Sequence, residues 1–307
     1  ACTKVTPRNG HSVVLTIDAE LQEIAEVELR RAVRENEAKG GSVVMLDPRT
    51  GDVLAMTSWP DFDPNCPDRY SVASQRNRVI TDQFEPGSTF KLITAAAALS
   101  TGAADLSSVY YAGRGAMRFP WCTIHDTHDY GWLDFTYAFA KSSNVCFAQI
   151  AEAVGEVPLY TFARGFGFGC HTGIMLPGEV RGVLREPSEW SGRSLPTVAI
   201  GQEIAATPLQ LALAYGAVAN GGYLMEPRVI QTVIDEDGRV VEETRPAAVR
   251  QVVSSEVADQ LLELMAAVAE YGTGRNAAIA EVPIGGKTGT AQKKVPGDQG
   301  FSARRFV

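Results

Sequence analysis

The sequence predicts an α/β domain in which strands from both ends of the chain meet in one sheet around a mostly helical insertion. Three observations carry that expectation. Strand-like segments lie near both ends, at 11–17 and 42–56 and again at 231–241 and 284–290. The middle of the chain reads as helices joined by loops, which segregates the two kinds of element. Of the 307 residues 45% are hydrophobic, enough for a substantial core, and no repeat, coiled coil or low-complexity linker divides them.

The elements follow in order. Residues up to Gly10 read as an exposed approach, and 11–17 alternate as a strand does. Asp18 is placed to cap a helix from Ala19, with Leu21, Ile24, Ala25, Glu28, Leu29 and Ala32 at helical spacing on one mostly apolar stripe. Residues 42–46 and 53–56 flank Asp47-Pro-Arg-Thr-Gly51, the pattern of a β-hairpin. A loop rich in Pro, Asp and Asn runs from Trp59 to Asp68. After Pro86-Gly87 an apolar helix is expected over 88–99, its alanines at 95–98 suited to close central packing. Residues 101–132 read as irregular, 133–140 and 144–154 as helical, 162–168 as a glycine-aromatic stretch and 173–187 as extended with turns. A helix over 207–219 ends at Asn220-Gly-Gly222. A hairpin turns at Asp237-Gly238, a long amphipathic helix follows over 255–271, and 284–290 read as a strand.

Composition narrows the function. The net charge of −8 is spread along the chain, and no basic stripe is interleaved with aromatics, which argues against nucleic acid as a partner. The five cysteines form no C-x-x-C and no repeating spacing, so a disulfide framework is unsupported. No apolar run is long enough to cross a bilayer.

Three short motifs carry the chemistry: Ser88-Thr-Phe-Lys91, Ser142-Ser-Asn144 and Lys287-Thr-Gly289. Each alone has an ordinary reading, as a capping serine with a surface lysine, a polar helix cap, or a strand end. Together and in this order they form the S-x-x-K, S-x-N and K-T-G set of serine acyl-transferases that recognise β-lactams, and they point to an acyl intermediate on Ser88. Ser88 and Lys91 are one helical turn apart, so a lysine freed of its proton by burial or by a neighbouring cation (Lys141 and Lys287 are candidates) would activate the hydroxyl. Ser142 could relay a proton, and the Asn144 amide could hold a peptide backbone. Lys287, Thr288 and Thr290 offer a positive field and hydroxyls to a carboxylate, Gly289 permits close approach, and the backbone N–H groups of Ser88 and Thr290 could form an oxyanion hole.

With these motifs in place, the chain resembles the transpeptidase domain of monofunctional, high-molecular-weight (class B) penicillin-binding proteins. The likeness extends over nearly its whole length. It includes Leu15-Thr-Ile-Asp18, the Asp47–Gly51 turn, Phe62-Asp-Pro-Asn65, Phe84-Glu-Pro-Gly-Ser88, Leu176-Pro-Gly-Glu179, Ile200-Gly-Gln202, Thr207-Pro-Leu-Gln210 and Ala219-Asn-Gly-Gly222. The resemblance implies a mainly antiparallel five-stranded sheet flanked by helices, beside an all-helical subdomain within about 85–220, with the whole of 1–307 forming one domain. It implies a D,D-transpeptidase without a cofactor, acting on the D-Ala-D-Ala stem peptides of peptidoglycan and acylated by β-lactam antibiotics. Its catalytic residues would be Ser88, Lys91, Ser142, Asn144 and Lys287, with Asn144, Thr288, Gly289 and Thr290 binding substrate. It also implies a place at the outer face of the cytoplasmic membrane, an anchor preceding this region, a membrane-embedded glycan polymerase as partner, and a role in septal, elongation or spore wall synthesis. The family domain continues past the K-T-G strand with further strands and a helix. The C-terminal remainder is therefore expected either on a longer parent chain or as a separate chain bound here.

Two other functions fit the same serine: hydrolysis, as a D,D-carboxypeptidase or β-lactamase, and a non-catalytic β-lactam-sensing or wall-binding module. Cys122, His125, Asp126, His128 and Asp129 form a compact set of metal-ligand types, but their spacing matches no zinc-finger pattern and no metal is expected. Trp59, Trp121, Trp132 and Trp190 read as packing or cleft-rim residues.

Overall fold

The computed structural model describes residues 9–120, 123–294 and 301–306. Strand β1 (Ser12–Leu15) leads to helix α1 (Ala19–Glu35), which starts where the Asp18 carboxylate accepts from the N–H groups of Glu20 and Leu21. Strands β2 (Gly41–Leu46) and β3 (Val53–Trp59) pair antiparallel across the expected turn. Helix α1 buries Ala25, Leu29 and Val33. Ile24 and Ala32, expected inside, face solvent. The i, i+4, i+8 row chosen by packing differs from the row suggested by spacing alone.

Helix α2 (Arg78–Thr81) precedes a 3₁₀ turn over Gly87–Phe90, and helix α3 (Lys91–Thr101) follows. The stretch expected to be irregular contains four short strands: β4 (Val109–Tyr111), β5 (Ala116–Arg118), β6 (Thr123–His125) and β7 (Trp132–Asp134). They pair as β4 with β7 and β5 with β6. Three residues are too few for alternation to register in a sequence. Helices α4 (Phe135–Ala140), α5 (Asn144–Val154), α6 (Glu156–Gly165), α7 (Ser194–Val198) and α8 (Pro208–Ala219) complete the middle. Of these, α6 and α7 were not expected. Helix α8 opens with a capping box, in which Thr207 accepts from the Gln210 N–H and the Gln210 side chain accepts from the Thr207 N–H.

The last third holds β8 (Tyr223–Met225), β9 (Ile230–Ile234), β10 (Val240–Glu243), β11 (Ala248–Gln251), helix α9 (Ser255–Glu270), β12 (Gln292–Lys294) and β13 (Phe301–Phe306). The two ends of the chain do meet: β1 pairs antiparallel with β9, placing Ser12 opposite Ile234, and β10 pairs on the other side of β9. Strands β12 and β13 form a separate antiparallel hairpin, and among the described residues no ladder joins it to β1-β9-β10. The expected five strands are therefore seen as a three-stranded ladder and a hairpin. The expected strand over 284–290 is also displaced. Glycines at 285, 286 and 289 weaken strand formation there, and regular pairing starts only at Gln292.

Helix α3 is the centre of the core. Every residue from Lys91 to Ala98 is buried, and Phe90, Phe135, Phe139, Phe147, Phe166 and Phe168 close around it. Each such ring contributes about 1.5–3 kcal/mol by leaving water. The β2–β3 hairpin is stitched to the ladder by Thr16, whose hydroxyl donates to the carbonyls of Val53 at 2.7 Å and Arg228 at 2.9 Å. Beside it Arg228 Nη2 donates to Asp52 Oδ2 at 2.8 Å, with the side chains only 13% and 18% exposed. Asp52→Ala would leave this guanidinium without its counter-charge. It is expected to lower stability by about 3 kcal/mol, read as a reduced urea midpoint. A loss below about 1 kcal/mol, the size of a surface pair, would contradict a structural role for the bridge.

Candidate active site

The nucleophile candidate is held by backbone on two sides. Ser88 lies in the 3₁₀ turn rather than in the α-helix expected from 88, and α3 begins only at Lys91. The Gly87 N–H donates to Gly201 O at 3.0 Å. A Cβ on Gly87, which has φ +54°, would stand 2.9 Å from Thr290 O, and one on Gly201 would stand 2.1 Å from Gly87 O. Two glycines thus let the turn sit between the segment at 201 and the segment at 290. Gly289 belongs to the same contact. A Cβ there would lie 2.7 Å from Thr89 Cγ2 and 3.0 Å from Pro86 O. Its role is to let the third motif pack on the first, where the sequence suggested room for a substrate.

Lys91 is fully buried and joins the first two motifs. Its Nζ donates to Ser142 O at 2.6 Å and to Asn144 Oδ1 at 2.7 Å, and lies 3.2 Å from Ser142 Oγ. A neutral amine has two N–H donors and one lone pair. The two close acceptors use both donors and leave the lone pair for a hydroxyl proton. Burial, and next the charge of Lys287, hold the Lys91 pKa well below the ordinary lysine value. Among the described residues no hydrogen bond joins Ser88 Oγ to Lys91, whose Nζ is directed to Ser142 and Asn144. Contacts of this kind often tighten only with substrate.

Ser142 links the two lysines. Its Oγ accepts from Lys287 Nζ at 2.8 Å as well as facing Lys91. Ser142 adopts φ +59°, a left-handed conformation that side chains other than glycine rarely take. There the residue turns both its carbonyl and its hydroxyl toward Lys91. Lys287 is half-buried, and burial lowers its pKa to about 7. Its Nζ also donates to Thr288 O at 3.0 Å. The Thr288 hydroxyl pairs with that of Thr273, while Thr290 is exposed. Lys141 is not among the groups that shift Lys91, and its Nζ is directed to Tyr271 O at 2.7 Å. The expectation that Lys141 helps depress Lys91 is corrected accordingly.

Asn144 is gripped at both ends of its amide: Oδ1 accepts from Lys91, and Nδ2 donates to His125 O at 2.8 Å. The second Nδ2 hydrogen remains for a ligand. The residue to which sequence reasoning gave no role is Asp126. Considered among metal-ligand types, it instead accepts from Ser143 Oγ at 2.6 Å, from Val145 N–H at 3.2 Å and from the Asn144 N–H. It is a carboxylate set against the N-terminus of α5, where free N–H groups and the helix dipole favour it. The signal available was an Asp about a dozen and a half positions before a polar helix start, which no local pattern can pair. Among the described residues no group of three His, Cys, Asp or Glu is arranged for a metal; Trp121 and Cys122 lie outside them.

Comparison with known proteins agrees with the motif pattern. The family model described as the penicillin binding protein transpeptidase domain matches residues 41–305. Penicillin-binding protein PbpB of Mycolicibacterium smegmatis is 38% identical over 94% of this chain and 46% of its own length. Probable peptidoglycan D,D-transpeptidase PenA of Neisseria meningitidis is 34% identical over 95% of this chain and 48% of its own. The chain thus spans about half the length of these relatives. Among solved structures, penicillin-binding protein 3 of Mycobacterium tuberculosis complexed with aztreonam has a TM-score of 0.92 at 32% identity, over 99% of this chain and 70% of that one. The same protein complexed with ampicillin has the same score and identity.

The backbone of Ser142 supplies a test that separates strain from chemistry. Ser142→Gly removes the hydroxyl and relieves the left-handed backbone, whereas Ser142→Ala removes the hydroxyl and keeps the strain. Thermal denaturation should find the glycine variant more stable than the alanine variant by about 1 kcal/mol. Both should lose reaction at Ser88 to a similar degree. Equal stabilities would show that position 142 carries no backbone strain.

Proposed function

This chain belongs to the penicillin-binding protein transpeptidase family, and we infer that it is the catalytic region of a peptidoglycan D,D-transpeptidase. The observation that carries the reading is the placement of Ser142 Oγ within hydrogen-bond reach of both Lys91 Nζ and Lys287 Nζ. That arrangement connects a buried, proton-poor amine to a second cation beside the nucleophile turn.

Ser88 Oγ attacks the carbonyl carbon of the penultimate D-alanine while its proton passes to the Lys91 lone pair. The carbonyl oxygen becomes negative between the backbone N–H groups of Ser88 and Thr290. As the C–N bond breaks, a proton returns through Lys91 and Ser142 to the leaving amine of the terminal D-alanine. An amine of a neighbouring stem peptide then attacks the ester and gives its proton to Lys91, which passes it to Ser88 Oγ as the ester C–O bond breaks and the new peptide bond is left. Asn144 holds the donor peptide with its spare N–H, and Lys287, Thr288 and Thr290 receive its carboxylate. β-Lactams enter as donor mimics whose ring opens on Ser88. The full-length protein is anchored at the outer face of the cytoplasmic membrane and works with a membrane-embedded glycan polymerase. The greater length of the relatives supports further segments of this kind, and no helix of the described residues is long and apolar enough to cross a membrane.

Incubation with benzylpenicillin should add one intact drug mass, mapped to the peptide carrying Ser88, and Ser88→Ala should abolish it. A label on another serine, or none on folded protein, would reject the assignment. A label that disappears within minutes would favour a β-lactamase. The pH dependence follows from the two lysines. Acylation should rise as Lys91 sheds its proton, because the neutral amine is the base, and fall above about pH 7 as Lys287 loses the charge that holds the substrate carboxylate. Lys91→Arg should be nearly inactive, and Lys287→Arg should lose the alkaline fall, since a guanidinium stays charged. A Lys287→Arg profile that keeps the fall would assign that limb to another group.

A further inference from the structure

Glu203 stands at φ +60°, two residues after Gly201 at φ +79°. A chain that turns left-handed twice in three residues would ordinarily use glycine both times, since a side chain there is strained. Here the second residue is a glutamate whose side chain is tied down. Its carboxylate, 21% exposed, accepts from Ser194 Oγ at 2.8 Å, Thr197 Oγ1 at 2.9 Å and Arg193 Nε at 3.2 Å, with Arg185 Nη2 at 3.9 Å. Ser194 and Thr197 are buried residues of α7. Burial acts to raise the Glu203 pKa, but the two hydroxyls and the two arginines hold it below the ordinary value, so the anchoring group is charged.

The backbone of the same residue faces the nucleophile turn. Residues 84–87 run antiparallel to 201–206. Phe84 and Ala206 exchange two hydrogen bonds, at 3.0 and 2.9 Å, and the Gly87 N–H donates to Gly201 O at 3.0 Å. Between these contacts Pro86 has no N–H to give. Glu85 supplies an acceptor from its side chain, and its Oε1 takes the Glu203 N–H at 3.0 Å. Ser88 follows Glu85 by three residues and is joined directly to Gly87.

We propose that Glu203 is a positioning residue for the reaction at Ser88: its carboxylate, seated on α7, locks a left-handed backbone whose N–H fixes Glu85 and so sets the turn that carries the nucleophile. The residue acts through Glu85 and touches no reacting atom. Without the anchor, the backbone at 203 relaxes toward the right-handed region that side chains prefer. That rotation turns its N–H away from Glu85 and loosens the contact between Gly201 and Gly87. A glycine at 203 would need no anchor, because it takes the same φ without strain.

The effect on rate rests on the acylation of Ser88 proposed above, whereas the effect on the turn does not, so the two are measured separately. Pre-steady-state reaction with benzylpenicillin separates the acylation rate constant from the non-covalent dissociation constant. Glu203→Ala should lower the rate constant about tenfold, less than an ångström of misplacement costs, and leave the dissociation constant near the wild-type value. Glu203→Gly should recover most of that loss. Glu85→Gln keeps an oxygen for the N–H and should recover most of the loss caused by Glu85→Ala. Glu85→Ala combined with Glu203→Ala should be no slower than the slower single variant, because both break one contact. Hydrogen exchange read by mass spectrometry over 84–90 should be faster in Glu203→Ala and return toward wild type in Glu203→Gly. An unchanged rate constant in folded Glu203→Ala, additive losses in the double variant, or unchanged exchange over 84–90 would each overturn the proposal. If Glu203→Ala does not fold, Glu203→Gln is measured in its place with the same outcomes, since it gives up the charge that holds the anchor. Absence of penicillin labelling in the wild type would count against the transpeptidase reading, and the exchange result would still decide whether Glu203 sets the turn.

Discussion

The burial of one lysine amine organises the site. Lys91 begins the central helix with none of its side chain in water, and its amine is held by a serine carbonyl and an asparagine amide from the α4–α5 junction. Keeping a charge there would be expensive, so the folded protein favours the neutral amine. The other features of the cleft can be read as consequences. The left-handed turn at Ser142 exists to present a carbonyl and a hydroxyl to this amine, and Asp126 anchors the helix start that presents Asn144. By linkage, both lysines bind fewer protons folded than unfolded. Stability therefore rises with pH from the depressed folded values, about 7 for Lys287, up to the ordinary lysine value of 10.5. The site is a place where folding free energy is given up to set a protonation state.

Backbone proximity does the remaining assembly. The nucleophile turn is wedged between Gly201 and Gly289-Thr290, and each approach leaves no room for a Cβ. Three segments widely separated in the chain can then meet within the reach of a single substrate. Side-chain packing around α3 makes the wedge rigid, since Phe90 lies edge-on to Phe168 with ring centroids 5.2 Å apart directly behind the turn. Rigid placement matters to the proposed chemistry because an ångström of displacement between nucleophile and base can cost about a hundredfold in rate.

Much of this was legible in the sequence, for identifiable reasons. The cap at Asp18 sits where local hydrogen-bonding chemistry puts it, and the β2–β3 and β9–β10 hairpins sit at Gly-containing turns. The failures have equally local causes. Four three-residue strands left no periodic trace, α6 was hidden behind a Gly- and Phe-rich segment, and α1 offered two apolar rows between which only its packing could choose. The 284–290 segment looked like a strand by composition, but its glycines weaken pairing, and Gly285 packs on α9 while Gly289 packs on the turn that carries Ser88.

The sequence by itself determined which groups are present and in what order: a serine one turn from a lysine, a polar Ser-Asn step between helices, a lysine followed by Thr-Gly-Thr, and an amphipathic frame to hold them. These are properties of residue type and near spacing, which the chain carries before it folds. Tertiary structure alone decided what those groups are chemically. Lys141 and Lys287 are both lysines near the motifs, yet one is tied to Tyr271 and the other stands against Ser142 with its pKa brought down to about 7. Asp126 could have been a metal ligand and is instead the anchor of α5. The reason is that charge state and hydrogen-bond partner depend on burial and on atoms distant in sequence, and neither can be read from a residue's neighbours in the chain.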